Sequence, residues 1–478
     1  MLTISKISGW LPLACSCFFT IITGCSEKEV NKEEQRSLGP RLYLTTMDRS
    51  KLLEAQAIAI GKAEDADAIL TIDSATTYQQ IDGFGYTLTG GSALHLSNMS
   101  NDVRTAILQE LFGKDSSSIQ VSYLRLSVGA SDLDEKTWSY NDLPDGETDV
   151  TLTRFSLAYD TLYLIPILKE ILEISPNIKL MGSPWSPPVW MKDNKDTRGG
   201  SLLPEYHAVY ADYLAKYIRE MGKQGITIDA LTIQNEPLHP GNNPSLLMLG
   251  DQQAEFIKNH LGPKFIEEDI KTKIVIYDHN ADRPDYPIAI LNDPDAAQYI
   301  DGSAFHLYGG TIDALSGVHE AHPSKNLYFT EQWVGAPGNF AEDMAWHVEN
   351  LIIGATRNWS RTVLEWNLAA DENQDPHTDR GGCDRCLGAL TIIGDQVIRN
   401  PAYYIIAHAS KFVPPGSVRI ASDSNGIIPN VAFKTPEGSM VVILQNKETG
   451  DKTIRLEISE TSLTVVLPAH SVGTLVLS

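Results

Sequence analysis

Apolar and polar positions along this chain follow two different rhythms. Over residues 79–411, short runs rich in Val, Ile, Leu, Tyr and Phe alternate with stretches in which apolar residues return every three or four positions. The runs are "YQQIDGFGYTL", "SYLRLSVGAS", "IKLMGSPWS", "DALTIQNEP", "KIVIYDHN", "IDGSAFHLY", "KNLYFTEQW" and "RTVLEWNLA". Between them, Val103, Ile107, Leu108, Leu111 and Phe112 share one helical face that stops at Gly113, and Tyr210, Leu214, Tyr217, Ile218 and Met221 share another. Eight β-like runs alternating with helices predict an α/β fold, a (β/α)8 TIM barrel. A doubly wound sheet is the alternative, but the chain carries no GxGxxG or phosphate-binding loop. Over residues 412–478 the helical period vanishes. Runs such as "SMVVILQN" and "KTIRLEI" between polar turns predict an accessory antiparallel β-sandwich. Strands within 41–78 are expected to join it, so both chain ends build one domain.

The first residues follow neither rhythm. "WLPLACSCFFTIITGC" has the length of a signal-peptide apolar core and is short for a membrane span. It ends in small residues leading to Cys25. The expectation is a lipoprotein signal over 1–24, lipidation at Cys25 and a charged tether over 25–40; a plain cleaved signal is the alternative. That reading places the protein in a bacterial envelope, at either face of the outer membrane, held by lipid alone. Of five cysteines, Cys15, Cys17 and Cys25 fall in this region, leaving Cys383 and Cys386. Two thiols cannot complete a four-ligand zinc site, and in an oxidising compartment a small-loop disulfide is expected. Lys and Arg total 38 against 61 Asp and Glu, a net charge of −23. Such a surface repels phosphate backbones and anionic lipid but not neutral polymers, so nucleic acid is not expected as a partner. A monomer is expected.

Polar residues gather at the ends of the β-like runs: Arg125 and Asp132, Trp185, Asn235 and Glu236, Asp278 to Asn280, His306 and Tyr308, Glu331 and Trp333, and Trp366 and Asn367. A parallel barrel brings all those ends to one rim, where barrel enzymes work. Glu236 and Glu331 both follow apolar runs, on strands four and seven, which are expected to face each other across an eight-stranded barrel. Carboxyls held about 5–5.5 Å apart would suit a double-displacement glycosidase. Either glutamate alone reads as a helix cap or rim ion pair. The rim's histidines and carboxylates are also possible metal ligands, although no HExxH-like spacing supports that. Trp185, Trp190, Trp333, Trp366 and Tyr308 supply flat apolar faces of the kind on which sugar rings stack.

Seven motifs in order carry a resemblance: "IDGFGYTLTGGSA" (Ile81–Ala93), "YLRLSVGASDL" (Tyr123–Leu133), "GSPWSPPVWMKDN" (Gly182–Asn194), "TIQNEP" (Thr232–Pro237), "AFHLY" (Ala304–Tyr308), "YFTEQWVG" (Tyr328–Gly335) and "EWNLAAD" (Glu365–Asp371). The chain resembles glycoside hydrolase family 30, which includes bacterial β-1,6-glucanases and lysosomal glucosylceramidases. The resemblance implies a retaining β-glycosidase without cofactor or metal, with Glu236 as acid/base and Glu331 as nucleophile. It further implies that Asn235 bonds the sugar 2-OH and that Asp132, Trp185 and Trp366 line the glucose subsite. Arg125 would keep the nucleophile ionised, and His306 and Tyr308 would sit beside it. Asp278 matches less closely, since "YDHN" departs from the lysosomal pattern. The CxxC segment "GGCDRCLG" is similar to the bacterial glucanase subgroup, so β-1,6-linked glucan is the expected substrate. Glucosylceramide or a simple β-glucoside is the alternative, and a catalytically dead glycan-binding lipoprotein is the alternative of a different class.

Overall fold

A computed structural model describes residues 39–58, 65–423, 426–458 and 461–477. The signal peptide, Cys25 and most of the tether expected from the sequence lie outside the described residues. Eight parallel strands close a barrel: β1 Gly83–Leu88, β2 Tyr123–Val128, β3 Lys179–Pro184, β4 Ala230–Thr232, β5 Lys273–Ala281, β6 Ile300–Gly310, β7 Asn326–Glu331 and β8 Ser360–Asn367. They pair in chain order, and β8 returns to β1. The first predicted run splits. Tyr78–Gln80 end a long sandwich strand, Ala68–Gln80, and only the part from Gly83 onward enters the barrel.

Side chains on a strand alternate between its two faces, and the barrel shows what that alternation does. Tyr123, Met181, Ala230, Val275, Ala304, Tyr328 and Leu364, one from each of seven strands, form a buried cluster of their own. Their strand neighbours Leu124, Leu180, Leu231, Ile274, Phe305, Leu327 and Val363 belong instead to the large core shared with the helices. The first set is therefore the interior layer of the barrel. Two residues further along, the same inward face carries Arg125, Ser183, Thr232, His306, Thr330 and Trp366, all buried. A polar floor thus rests directly on an apolar plug.

The sandwich sheet has nine strands, in the order 54–57, 41–46, 471–477, 440–446, 430–434, 418–422, 68–80, 452–458 and 461–467. Both chain ends contribute, as expected. Period-two patterning sorts its residues. Val442 and Leu444 join the sandwich's own core, whereas Val441 and Ile443 pack into the barrel's core. The seam also holds a polar clip. His408, on the helix Pro401–Ser410, bonds Thr474 through Nδ1 at 2.9 Å and Thr45 through Nε2 at 2.8 Å. The Thr474 hydroxyl donates to the His408 carbonyl at 2.9 Å, so the ring donates from Nδ1 and accepts at Nε2. No helix among the described residues is long and apolar enough to cross a membrane.

Burial pushes His408 down to about 3. An unfolded chain protonates the same group near its ordinary value of about 6.5, so between those values the unfolded state binds the extra proton. The stability that neutral His408 contributes is therefore present above about pH 6.5 and is lost as pH falls toward 3, with a limiting slope of about 1.4 kcal/mol per pH unit. The His408→Gln variant is expected to be less stable than the parent by about 1–3 kcal/mol at pH 7, the cost of a broken buried network. Denaturant titrations from pH 7 to pH 4 should show that difference shrinking as the pH drops.

Candidate active site

The site is built from the polar floor upward. Arg125 is fully buried, and its guanidinium donates to four acceptors: Glu331 Oε2 at 2.7 Å, Asp278 Oδ2 at 2.8 Å, Asn235 Oδ1 at 2.6 Å and Ser183 Oγ at 3.0 Å. Above it, Trp185 and Trp366 stack with ring centroids 5.3 Å apart, and the guanidinium carbon lies 4.8 Å from the first ring's centroid and 5.8 Å from the second's.

Asp278 answers Arg125 from β5, and strict alternation would not place it there. Val275 faces inward, so Tyr277 should be the next inward residue. Instead β5 shifts register against β6 between Tyr277 and His279. Tyr277 and Asp278 both take left-handed backbone, with φ of 72° and 64°. This bulge sends the Tyr277 ring into the outer core and the Asp278 carboxylate into the floor. Ser183 and Thr232 donate to its Oδ2, each at 2.7 Å. Thr330 at 2.6 Å and His306 Nε2 at 3.1 Å reach Oδ1. Burial opposes the charge, but Arg125, His306 and Thr330 together hold Asp278 well below the usual carboxylate range.

The two glutamates stand on this floor. β4 stops at Thr232, so Glu236 lies in the loop beyond it rather than at the strand's end. That loop is fixed by backbone bonds: Asn235 N–H donates to Pro184 O at 2.8 Å, and Glu236 N–H donates to Asp278 O at 3.0 Å. Glu236 itself takes φ of 45°, a strained value for a non-glycine residue. Its Oε1 lies 3.3 Å from His306 Nδ1, and its Oε2 accepts from Asn242 at 3.3 Å. Across the site, Glu331 Oε1 accepts from Tyr308 Oη at 3.0 Å and lies 3.8 Å from His306 Nδ1. One oxygen of each glutamate and one His306 nitrogen lie within 4.8 Å of one another. Strands β4 and β7 are three apart round the barrel, not diametrically opposite; the loop beyond β4 brings Glu236 across the remaining distance.

Charge in this group is shared. Burial disfavours the His306 cation, but Glu331, Asp278 and Glu236 surround it and raise it to about 9, so both ring nitrogens are donors at neutral pH. Burial raises Glu236, yet the His306 hydrogen bond and charge outweigh it and hold the group below its ordinary value. Glu331 lies above its ordinary value: burial, with Glu236 and Asp278 adding, outweighs His306 and Arg125. Arg125 acts on Glu331 in the expected direction, favouring the ionised form, at 2.7 Å. The same guanidinium also binds Asp278, at 2.8 Å. The two carboxyls are thus shifted in opposite directions, Glu236 down and Glu331 up. Nearby, burial and the Glu331 charge push Asp132 up to about 8, and burial pushes His279 down to about 4.

Over these groups opens a cleft of about 350 Å³. Asp132, Trp185, Asn235, Glu236, Tyr308, Glu331, Trp333 and Trp366 all line it, as the rim pattern suggested. Three of the expected substrate-binding residues do not. Arg125, Asp278 and His306 lie beneath the cleft, fully buried, and act on the carboxylates. Trp190 leaves the rim altogether: it packs in the main core, its indole donating to Asn141 O at 3.0 Å. Sequence reasoning missed His239 and Asn242, which line the cleft from the loop after Glu236. The polar character of "NEPLHPGNN" was their only signal. Cys383 and Cys386 are joined as a disulfide, S–S 2.08 Å, and form part of the cleft wall.

Two buried carboxyls in contact range at the C-terminal mouth of a closed parallel barrel, beneath stacked tryptophans, define a glycoside-hydrolase type of site. The chain belongs to glycosyl hydrolase family 30: residues 81–413 match the family's TIM-barrel domain and residues 416–475 its β-sandwich domain. It is 32% identical to an endo-1,6-β-D-glucanase of Aspergillus fumigatus over 439 residues, 85% of this chain and 87% of the relative. It is 28% identical to the lysosomal acid glucosylceramidase of Mus musculus, over 85% of this chain and 82% of that enzyme. Among solved structures, an endo-β1,6-glucanase superposes with a TM-score of 0.86 at 33% identity, covering 92% of this chain and 100% of its own. The protein is a β-glycosidase.

Removing Arg125 strands two buried carboxylates. Arg125→Gln is expected to lower stability by about 3–5 kcal/mol, measured by denaturant unfolding at pH 7. Arg125→Lys should recover only part of the loss, because one ammonium cannot serve four acceptors spread around a planar fork.

Proposed function

We propose that the protein hydrolyses β-1,6-linked glucan by double displacement with retention of configuration. The observation that carries this reading is the close approach of Glu236 and Glu331, with an oxygen of each within 4.8 Å. That approach favours retention, for which the carboxyl groups stand about 5–5.5 Å apart, over inversion at about 6.5–9.5 Å. Glu331, its two oxygens fixed by Arg125 and Tyr308, attacks the anomeric carbon. Glu236, on the other side, gives its proton to the departing glycosidic oxygen and later takes one from the water that releases the sugar. The proton must first lie on Glu236. A glycosidic oxygen beside Glu236 accepts a hydrogen bond only from the protonated carboxyl and so favours that form. His306 lies within 4 Å of both acids.

The sugar stacks on the tryptophan pair. Asn235, held by Arg125, presents its amide to the 2-OH, a contact that strengthens as positive charge develops on the ring. The β-1,6 linkage is supported by the three endo-1,6-β-D-glucanases at 31–32% identity and by the solved endo-β1,6-glucanase. A lipid anchor at Cys25 would hold such an enzyme at the bacterial outer membrane, against its polymer.

Purified protein is expected to release products from β-1,6-glucan in preference to β-1,3-glucan, β-1,4-glucan and glucosylceramide; preference for the lipid would contradict the linkage assignment. Glu331→Gln should abolish hydrolysis while leaving glucan binding measurable. Glu236→Gln should slow glucan hydrolysis by about 10²–10⁴-fold, yet spare the first step on aryl glucosides whose leaving groups need no proton. Equal losses on both substrates would remove Glu236 from the acid role.

A further inference from the structure

A second cluster of ligand-type side chains lies outside the catalytic cleft. His207 opens the helix His207–Lys223, which follows the loop carrying Trp190. Glu255 lies on the helix Gly250–Phe256, and His260 on the π-helical turn Ile257–Leu261 that continues it. Residues five apart on a regular α-helix point in divergent directions. A π-helical turn hydrogen-bonds i to i+5 and brings them into line, and such turns recur at functional sites. Here the turn is what lets Glu255 and His260 face the same point.

His207 Nδ1 lies 2.8 Å from Glu255 Oε2, and His260 Nε2 lies 3.6 Å from Glu255 Oε1. One ligand atom from each of the three residues lies within 4.8 Å of the other two. A tetrahedral ion with bonds of about 2.0–2.1 Å holds its ligand atoms about 3.4 Å apart, so three donors already within 4.8 Å of one another need close in only slightly to reach it. The carboxylate is also oriented from outside, since Asn259 Nδ2 donates to Glu255 Oε1 at 3.2 Å, as outer-shell partners of metal ligands do. Phe256 packs against both imidazoles and shields one side.

We propose that His207, Glu255 and His260 bind a divalent transition metal of the Zn²⁺ type, with water in the fourth position. Two imidazole nitrogens and one carboxylate oxygen suit Zn²⁺ rather than Ca²⁺ or Mg²⁺, which take oxygen donors. The ion clips the start of one barrel helix to the next. Those helices follow the loops that carry Trp190 and Glu236, so the clip stabilises the fold and takes no part in bond cleavage.

The test uses tag-free, chelator-treated protein titrated with CoCl₂ and ZnCl₂, following the visible absorption of Co²⁺, calorimetric stoichiometry and thermal midpoint. The parent and Glu331→Gln should each bind one equivalent, with a tetrahedral-type Co²⁺ band and a raised midpoint in Zn²⁺; Glu331→Gln removes the catalytic cluster as a competing site. His260→Ala and Glu255→Gln should each weaken binding at least about tenfold while keeping the parent's circular dichroism and metal-free glucan hydrolysis. Absence of binding in the parent, or unchanged binding in a variant that folds, overturns the proposal. If His260→Ala fails to fold, Glu255→Gln decides alone, because it preserves the shape of the side chain.

Discussion

The ion pair between Arg125 and Asp278 is the constraint on which the rest of the site depends. Both partners are fully buried, 2.8 Å apart, at a depth where neither charge would be tolerated alone. Between them they use Ser183, Thr232, Thr330, His306, Asn235 and Glu331, so groups from β2 to β7 are tied into one network. Each neighbour is held because another buried charge needs it. The catalytic carboxyls inherit their positions from this arrangement: Glu331 through Arg125, Glu236 through His306 and through its backbone bond to Asp278 O.

The network also explains how recognition and proton chemistry are separated in depth. Aromatic rings, Asp132 and the loop residues face the cleft, while the permanent charges that tune Glu236 and Glu331 stay below it. A substrate therefore changes the surroundings of the carboxyls without displacing the groups that orient them. The apolar layer beneath gives this floor a rigid base. The sandwich contributes at a distance: alternating residues of Met440–Asn446 pack against the barrel, and the His408 clip fixes both chain ends to its last helix.

Much of this was legible in the sequence because it follows from period. Alternating runs and helical stripes foretold a barrel, period-two runs foretold the sandwich, and the polar residues ending each run foretold the rim. The misreadings occur where the backbone leaves its period. Asp278 faces inward only because β5 bulges, and no propensity in "VIYDHN" announces left-handed backbone at Tyr277 and Asp278. Glu236 sits in a loop, reached by tertiary hydrogen bonds that no local pattern encodes. Trp190 resembled its neighbour Trp185 in sequence but turns to the core, since five residues of loop suffice to reverse its direction. Arg125 was expected beside Glu331, but its bond to Asp278 was not foreseen. That Arg125 serves Glu331, Asp278, Asn235 and Ser183 together is visible only once the barrel has closed.

The assignment of Glu331 as the group that bonds to the sugar can be tested directly. Incubation with a 2-deoxy-2-fluoro-β-glucoside bearing a good leaving group slows both steps, the second more, and traps the covalent intermediate. Peptide mass spectrometry should then find one glycosyl adduct, on Glu331, within the peptide containing "YFTEQW". An adduct on Glu236 would reverse the two roles. A chain that hydrolyses the substrate while never accumulating an adduct, and releases the inverted anomer, would contradict double displacement altogether.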